Sequence, residues 1–297
     1  MKTKLLQSLG PGLLFAGAAV GVSHLVQSTR AGADFGFGLL WALFLVNILK
    51  YPFFQFGPRY VAATGETLLD GYRKLGKPVL VIYYILNLAS MFTIQAAVTI
   101  VTAGLAAELF GISNNLVIWS SVLLLISILI LAFGKYKVLD NLMKYIIIIL
   151  TISTILAVLI AFSKSHQELN FTQIFPSGAL EITFLIAFLG WMPAPLDVSI
   201  WHSIWSVEKN KTTASRTSSK EALFDFNIGY LGTQFLGACF IFLGALVMYK
   251  SGETFSNKGT VFASQLINLY TKNLGGFSYI FIAIAAFTTI FSTTITT

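Results

Sequence analysis

Residues 178–206, GALEITFLIAFLGWMPAPLDVSIWHSIWS, constrain the fold more than any other stretch, because they are apolar enough to cross a bilayer yet carry Gly190, Pro193 and Pro195 near their centre. Each proline removes a backbone donor and crowds the preceding turn, so these residues cannot share one unbroken helix. The span is expected to open between Trp191 and Asp197. Peptide groups released at that depth cost roughly 2 to 7 kcal/mol each when unpaired. They persist only where protein, water or a ligand satisfies them, which makes a broken membrane helix a candidate site.

The rest of the chain fits the same setting. Of its 297 residues 56% are hydrophobic and 10% charged, against roughly 25% charged in ordinary soluble domains. The composition indicates an all-α polytopic membrane protein with the lipid bilayer as its main partner. The single cysteine, Cys239, excludes an internal disulfide, and three histidines are too few for a Cys/His metal cluster. The net charge of +7 is spread between apolar runs instead of forming a patch, so no nucleic-acid partner is read. The N-terminus MKTKLLQSLG shows no small-residue cleavage site, and no cleaved signal peptide is expected.

A hydrocarbon core of about 30 Å demands runs of about 20 apolar residues. Eight such runs fall near 9–33, 36–58, 78–106, 115–133, 138–163, 178–206, 221–249 and 274–297. With a cytoplasmic N-terminus, twelve Lys and Arg lie on the inner side: Lys2, Lys4, Arg59, Arg73, Lys74, Lys77, Lys135, Lys137, Lys209, Lys211, Arg216 and Lys220. Lys164, Lys250, Lys258 and Lys272 lie outside. That asymmetry sets the expected orientation in the plasma membrane.

The first span repeats the oddity of the sixth. Small residues through Gly17, Ala18, Ala19 and Gly21 lead into a polar cluster of Ser23, His24, Gln27, Ser28 and Thr29, which lipid would not tolerate. Interruptions in spans one and six are five spans apart, and an odd offset inverts the second copy. This is the layout of an inverted-repeat transporter, with its site between the two broken helices. The chain thus divides into one transmembrane domain over 1–297, with a first five-span repeat at 9–163 and an incomplete three-span repeat at 178–297. Because FSTTITT ends the chain without flanking charge, it reads as C-terminally truncated.

GPGLLFAGAAVGVSHLVQSTRAGADFGFGLLW, together with LGWMPAPLDVSIWHS of span six, resembles the NRAMP family of proton-coupled divalent metal transporters. The resemblance continues more weakly through span seven into FSTTITT. It implies the five-plus-five, LeuT-like inverted-repeat fold. It also implies metal binding by an Asp-Pro-Gly-Asn break in span one, the methionine of an Ala-x-x-Met-Pro-His break in span six, and a sixth-span carbonyl. This chain departs at each of those side chains. Gly21, Val22, Ser23 and His24 stand at the first motif, and if Pro195 matches the family's proline, Ala194 and Leu196 replace the methionine and histidine. Carboxylate suits hard ions and sulfur helps discriminate against them, so the fold carries over and the ligand set does not.

The substrate or ion site is therefore sought among Gly21, Val22, Ser23, His24, Gln27, Trp191, Ala194 and Asp197. His24 is suited to ligating a metal, bonding an organic substrate or carrying a coupling proton, or to resting neutral against a freed carbonyl. Asp197 is suited to joining His24 at a metal, or to capping the following half-helix. Trp191 can wall an organic substrate. Ser292 and Thr293 form a candidate coupling-ion site beside span one, or bond back to their own helix. Arg30 and Asp34 are read as an i,i+4 pair, Lys50 as a lysine snorkelling to the inner interface, and His202 as lying off the site.

The expected function is secondary active transport of a metal cation or other small solute by alternating access, coupled to an ion. The alternative is an amino acid or small organic solute with sodium or proton coupling. No resident cofactor and no obligate protein partner is indicated beyond the transported solute or coupling cation. Without GxSxG, HExxH or paired carboxylates in one span, the chain does not read as an enzyme.

Overall fold

A computed structural model describes residues 9–164, 169–213, 216–251 and 276–296, with isolated positions between 256 and 268. Regular structure among the described residues is helical. Span one comprises Pro11–Ala19, a π-helical turn Ser23–Ser28 and Thr29–Phe35, bent by 51° across its break. Span two is Leu40–Thr64 and span three Lys77–Phe110. Span six is Ala179–Trp191 followed by Val198–Thr213, span seven Ser219–Val247 and span eight Gly276–Thr296. Among the described residues five helices are individually long and apolar enough to cross a membrane, and the bent pair of span one adds a sixth by the same measure.

Local chemistry explains the helix ends. Span two stops at Gly65 (φ 80°) and span three at Gly111 (φ 64°), both left-handed positions where a side chain would be strained. Between them a surface helix, Leu68–Leu75, starts at a capping box in which Thr67 and Asp70 each bond the other's backbone. The hydrogen bond from the Thr67 hydroxyl, more than any other influence, holds the Asp70 carboxyl below its usual range. Leu68 N also donates to Ser203 Oγ at 3.1 Å, tying this surface helix to the second half of span six.

Two expectations are corrected. Spans four and five are not separated by a loop at 134–137, because the helical pattern runs through Leu116–Lys164. The chain divides there into apolar spans Leu116–Gly134 and Tyr136–Ser163. A Cβ added to Gly134 would lie 2.8 Å from Val138 Cβ, far inside the ~5 to 6 Å normal for i,i+4 neighbours, so the helix bends sharply at a residue with no side chain to prevent it. Span two, in turn, does not end near 58. Its helix continues past Pro52 and Pro58 to Thr64, which moves Lys50 from the interface to the middle of the span.

Spans one and seven form the centre of the bundle, each packing on the other over both halves of span one. Their backbones approach through glycine. A Cβ on Gly12 would lie 2.0 Å from the Asp225 carbonyl oxygen and one on Gly229 1.9 Å from that of Gly12. Further along, one on Gly32 would meet the Ile241 oxygen at 2.1 Å and one on Gly244 the Thr29 oxygen at 2.0 Å. Small residues are what allow membrane helices this contact. Beside the first pair, the rings of Phe15, Phe54, Phe226 and Tyr230 pack around one another.

Gly244→Ala is expected to lower stability by about 1 to 3 kcal/mol through overpacking against backbone. Gly232→Ala on the same helix, where nothing lies within 4 Å of an added methyl, is expected to leave it unchanged. Melting temperatures of the detergent-purified variants check the contrast.

Candidate functional site

The first half of span one ends at Ala19, and Val20, Gly21 and Val22 carry the chain into the π-helical turn. The orphaned Ala19 carbonyl accepts from Ser23 Oγ at 2.5 Å and from Gly21 N at 3.0 Å. His24 Nδ1 lies 3.0 Å from the same oxygen and 2.8 Å from Ser23 Oγ. On its other side, Nε2 donates to the Thr233 carbonyl of span seven at 3.1 Å. That ring, 0% exposed, clamps the break in span one to its neighbour. The Gly17 carbonyl, two residues earlier, accepts from Ser292 Oγ at 3.0 Å and Thr293 Oγ1 at 3.3 Å. A Cβ on Gly21 would lie 2.1 Å from Thr293 Oγ1, so the contact with span eight requires glycine there.

Span six opens over Met192–Asp197, as its prolines require. Its released carbonyls find an unexpected partner. Lys50 Nζ donates to the carbonyls of Leu189 at 2.8 Å, Gly190 at 2.8 Å and Met192 at 2.7 Å. The lysine read as snorkelling to the interface is instead the cap of a broken helix. It sits ten residues into span two, roughly 15 Å along it, where the carbonyl end of the half-helix also favours positive charge. The signal available in the sequence was a lone lysine inside an apolar run; which helix end it faces is a tertiary fact.

The two breaks face one another. Ser28 Oγ lies 3.7 Å from Met192 Sδ. A cavity of about 280 Å³, counting the part open to its surroundings, is lined from span one by Ala18, Ala19, Val22 and Ser23 and from span six by Trp191, Pro195, Val198 and Trp201. Ile94 and Val98 of span three and Thr293 of span eight close it. Of the residues singled out from sequence, Val22, Ser23, Trp191 and Thr293 reach this wall. Gly21 and Ser292 support it from behind, through the Thr293 and Gly17 contacts just described.

The remaining candidates lie elsewhere. Ala194 is fully buried in an apolar cluster with Phe15, Phe54 and Tyr230. Asp197 accepts from Ser90 Oγ of span three at 3.2 Å, while His24 is engaged with spans one and seven. The Gln27 oxygen is buried without a hydrogen-bond partner among the described residues. His202 lines a separate cavity with Ser206, Lys209 and Asp225. Arg30 and Asp34 form the expected ion pair at 3.3 Å. Among the described residues no three His, Cys, Asp or Glu side chains converge in a way that could hold a metal.

A helical bundle with two discontinuous spans meeting at a common cavity defines the class: a polytopic membrane protein of the broken-helix, LeuT-like inverted-repeat fold. A family model described as "Natural resistance-associated macrophage protein-like" matches residues 12–297. The chain belongs to this family, Nramp. It is 39% identical over 293 residues to an uncharacterized protein of Pasteurella multocida, covering 97% of this chain and 67% of that one. It is 26% identical over 259 residues to the divalent metal cation transporter MntH of Staphylococcus saprophyticus, covering 83% and 57%. Among solved structures, the manganese transporter of Eremococcus coleocola bound to an aromatic bis-isothiourea compound superposes with a TM-score of 0.70 at 16% identity, over 99% of this chain and 64% of that one. A mutant of the same transporter gives 0.71 at 19% identity, with the same coverage. The chain thus spans about two thirds of the length of the manganese transporter and less of MntH.

His24→Leu removes the donor to the Thr233 carbonyl and is expected to cost roughly 1 to 3 kcal/mol for the buried acceptor left unpaired. His24→Gln, which keeps an amide donor, is expected to lose less. Thermal unfolding of the two variants in detergent measures the difference.

Proposed function

We propose that the chain forms the transport core of a secondary active transporter that moves a small cationic solute, a divalent metal ion first among candidates, by alternating access. The observation that carries this reading is that both broken helices line one cavity: rocking the bundle that contains spans one and six against the others would expose that cavity to each side in turn. Membership of the Nramp family and its likeness to named divalent metal and manganese transporters support the metal. The division into repeats at 9–163 and 178–297, and a cytoplasmic N-terminus argued from twelve basic residues against four, belong to the same reading.

The donors lining the cavity differ from an anionic metal cage. Ser23 and Thr293 supply hydroxyls, and no carboxylate is among the described residues that line it. A hard divalent ion would rely on these hydroxyls, on backbone carbonyls and on waters it retains, in the manner of Mg²⁺ sites. Coupling falls to His24, whose Nδ1 can hold a second proton directed at the Ala19 carbonyl while Nε2 keeps its bond to Thr233. A second reading, a small organic solute, is favoured by one observation: Trp191 and Trp201 supply flat apolar walls at the break.

Reconstitution of the full-length protein in liposomes, followed by uptake of Mn²⁺, Mg²⁺ and amino acids with internal pH recorded, distinguishes these readings. Saturable Mn²⁺ or Mg²⁺ entry, weakened roughly tenfold in apparent affinity by Ser23→Ala, supports the metal. Saturable amino acid entry unaffected by divalent ions transfers the assignment to the organic solute, and single-channel conductance would end the alternating-access reading.

A further inference from the structure

Lys50 occupies a place in the fold that neither transport reading uses. An ammonium has three donors, and all three are taken by carbonyl oxygens at 2.7 to 2.8 Å: Leu189 and Gly190 at the end of a half-helix, and Met192 in the unwound segment. These three hydrogen-bond partners are all backbone carbonyl dipoles, with no carboxylate among them. Convergent backbone carbonyls are how membrane proteins replace the hydration shell of a monovalent ion, and unwound carbonyls with half-helix carbonyl ends are where coupling cations bind. Lys50 is held with the geometry of such an ion, but on a tether.

We propose that the break in span six contains a monovalent-cation site permanently filled by the protein's own Lys50 ammonium. The tethered charge keeps the half-helix end and the unwound segment in register, and it withdraws three carbonyls from any transported cation. Free Na⁺ or K⁺ therefore has no role at this position in the native protein. Removing the side chain leaves three carbonyls pointing into one small space, and a soluble cation of suitable size should enter it. A lysine that merely fills space or snorkels would leave no such vacancy behind.

The test uses the full chain purified in detergent and requires no transported substrate, so it stands or falls independently of the transport reading. Melting temperatures of wild type, Lys50→Ala and Lys50→Gln are measured in N-methylglucamine chloride and on replacement, at constant ionic strength, by NaCl, KCl or methylammonium chloride. Wild type is expected to be indifferent to the replacement. Lys50→Ala is expected to melt roughly 5 °C or more lower in the bulky cation and to recover saturably, by half or more, in at least one small cation, with Lys50→Gln showing a smaller loss and a smaller recovery. The proposal is overturned if Lys50→Ala melts like wild type in N-methylglucamine, or if no small cation restores either variant. Failure of both variants to yield folded protein in methylammonium would also overturn it.

Discussion

The structure depends on the satisfaction of peptide groups that two helices release in the middle of an apolar bundle. Water is scarce at that depth, and an unpaired carbonyl or amide is too costly to leave. The chain solves this by different means at the two breaks. In span one the released groups are met locally and from the side: Ser23 and His24 close on Ala19, and Ser292 and Thr293 reach Gly17. In span six the solution is one charge, the Lys50 ammonium, shared among three carbonyls. Hydroxyls and an imidazole can exchange partners with a ligand at little cost, whereas a lysine holding three bonds is a fixture. The two sides of the cavity therefore differ in how readily their hydrogen bonds can exchange partners.

Glycine sets the distances that make this arrangement work. Spans one and seven touch backbone to backbone at Gly12 with Gly229 and at Gly32 with Gly244, which brings the Thr233 carbonyl within reach of His24. Gly21 lets span eight close on the break from another side. Without these approaches the imidazole and the hydroxyls would be too distant to pair with the freed carbonyls. The polar chemistry of the site thus rests on apolar packing some turns away.

Relationship to metal transporters and the local donor set pull in different directions. The family is Nramp, yet the described residues lining the cavity between the two breaks carry hydroxyl, aliphatic and aromatic groups, with no carboxylate or thioether among them. Met192 has a thioether near the break, but it is fully buried and lies against Ser28. Such a cavity can be relined while the helix breaks persist, because the breaks are stabilised by groups outside it, among them Lys50 and the Thr233 carbonyl.

The sequence by itself determined the membrane class, the order of the spans and the places where two of them break, since hydropathy, proline chemistry and buried polar clusters act along the chain and need no partner. It also determined the Arg30–Asp34 pair, whose members are one helical turn apart. Only the tertiary structure decided who satisfies whom. That His24 turns to Thr233, that Asp197 meets Ser90, and that Lys50 seeks the end of span six and not the interface, depends on how helices distant in sequence rotate and slide against one another. Those rotations are set by close glycine contacts between spans, which no local pattern encodes.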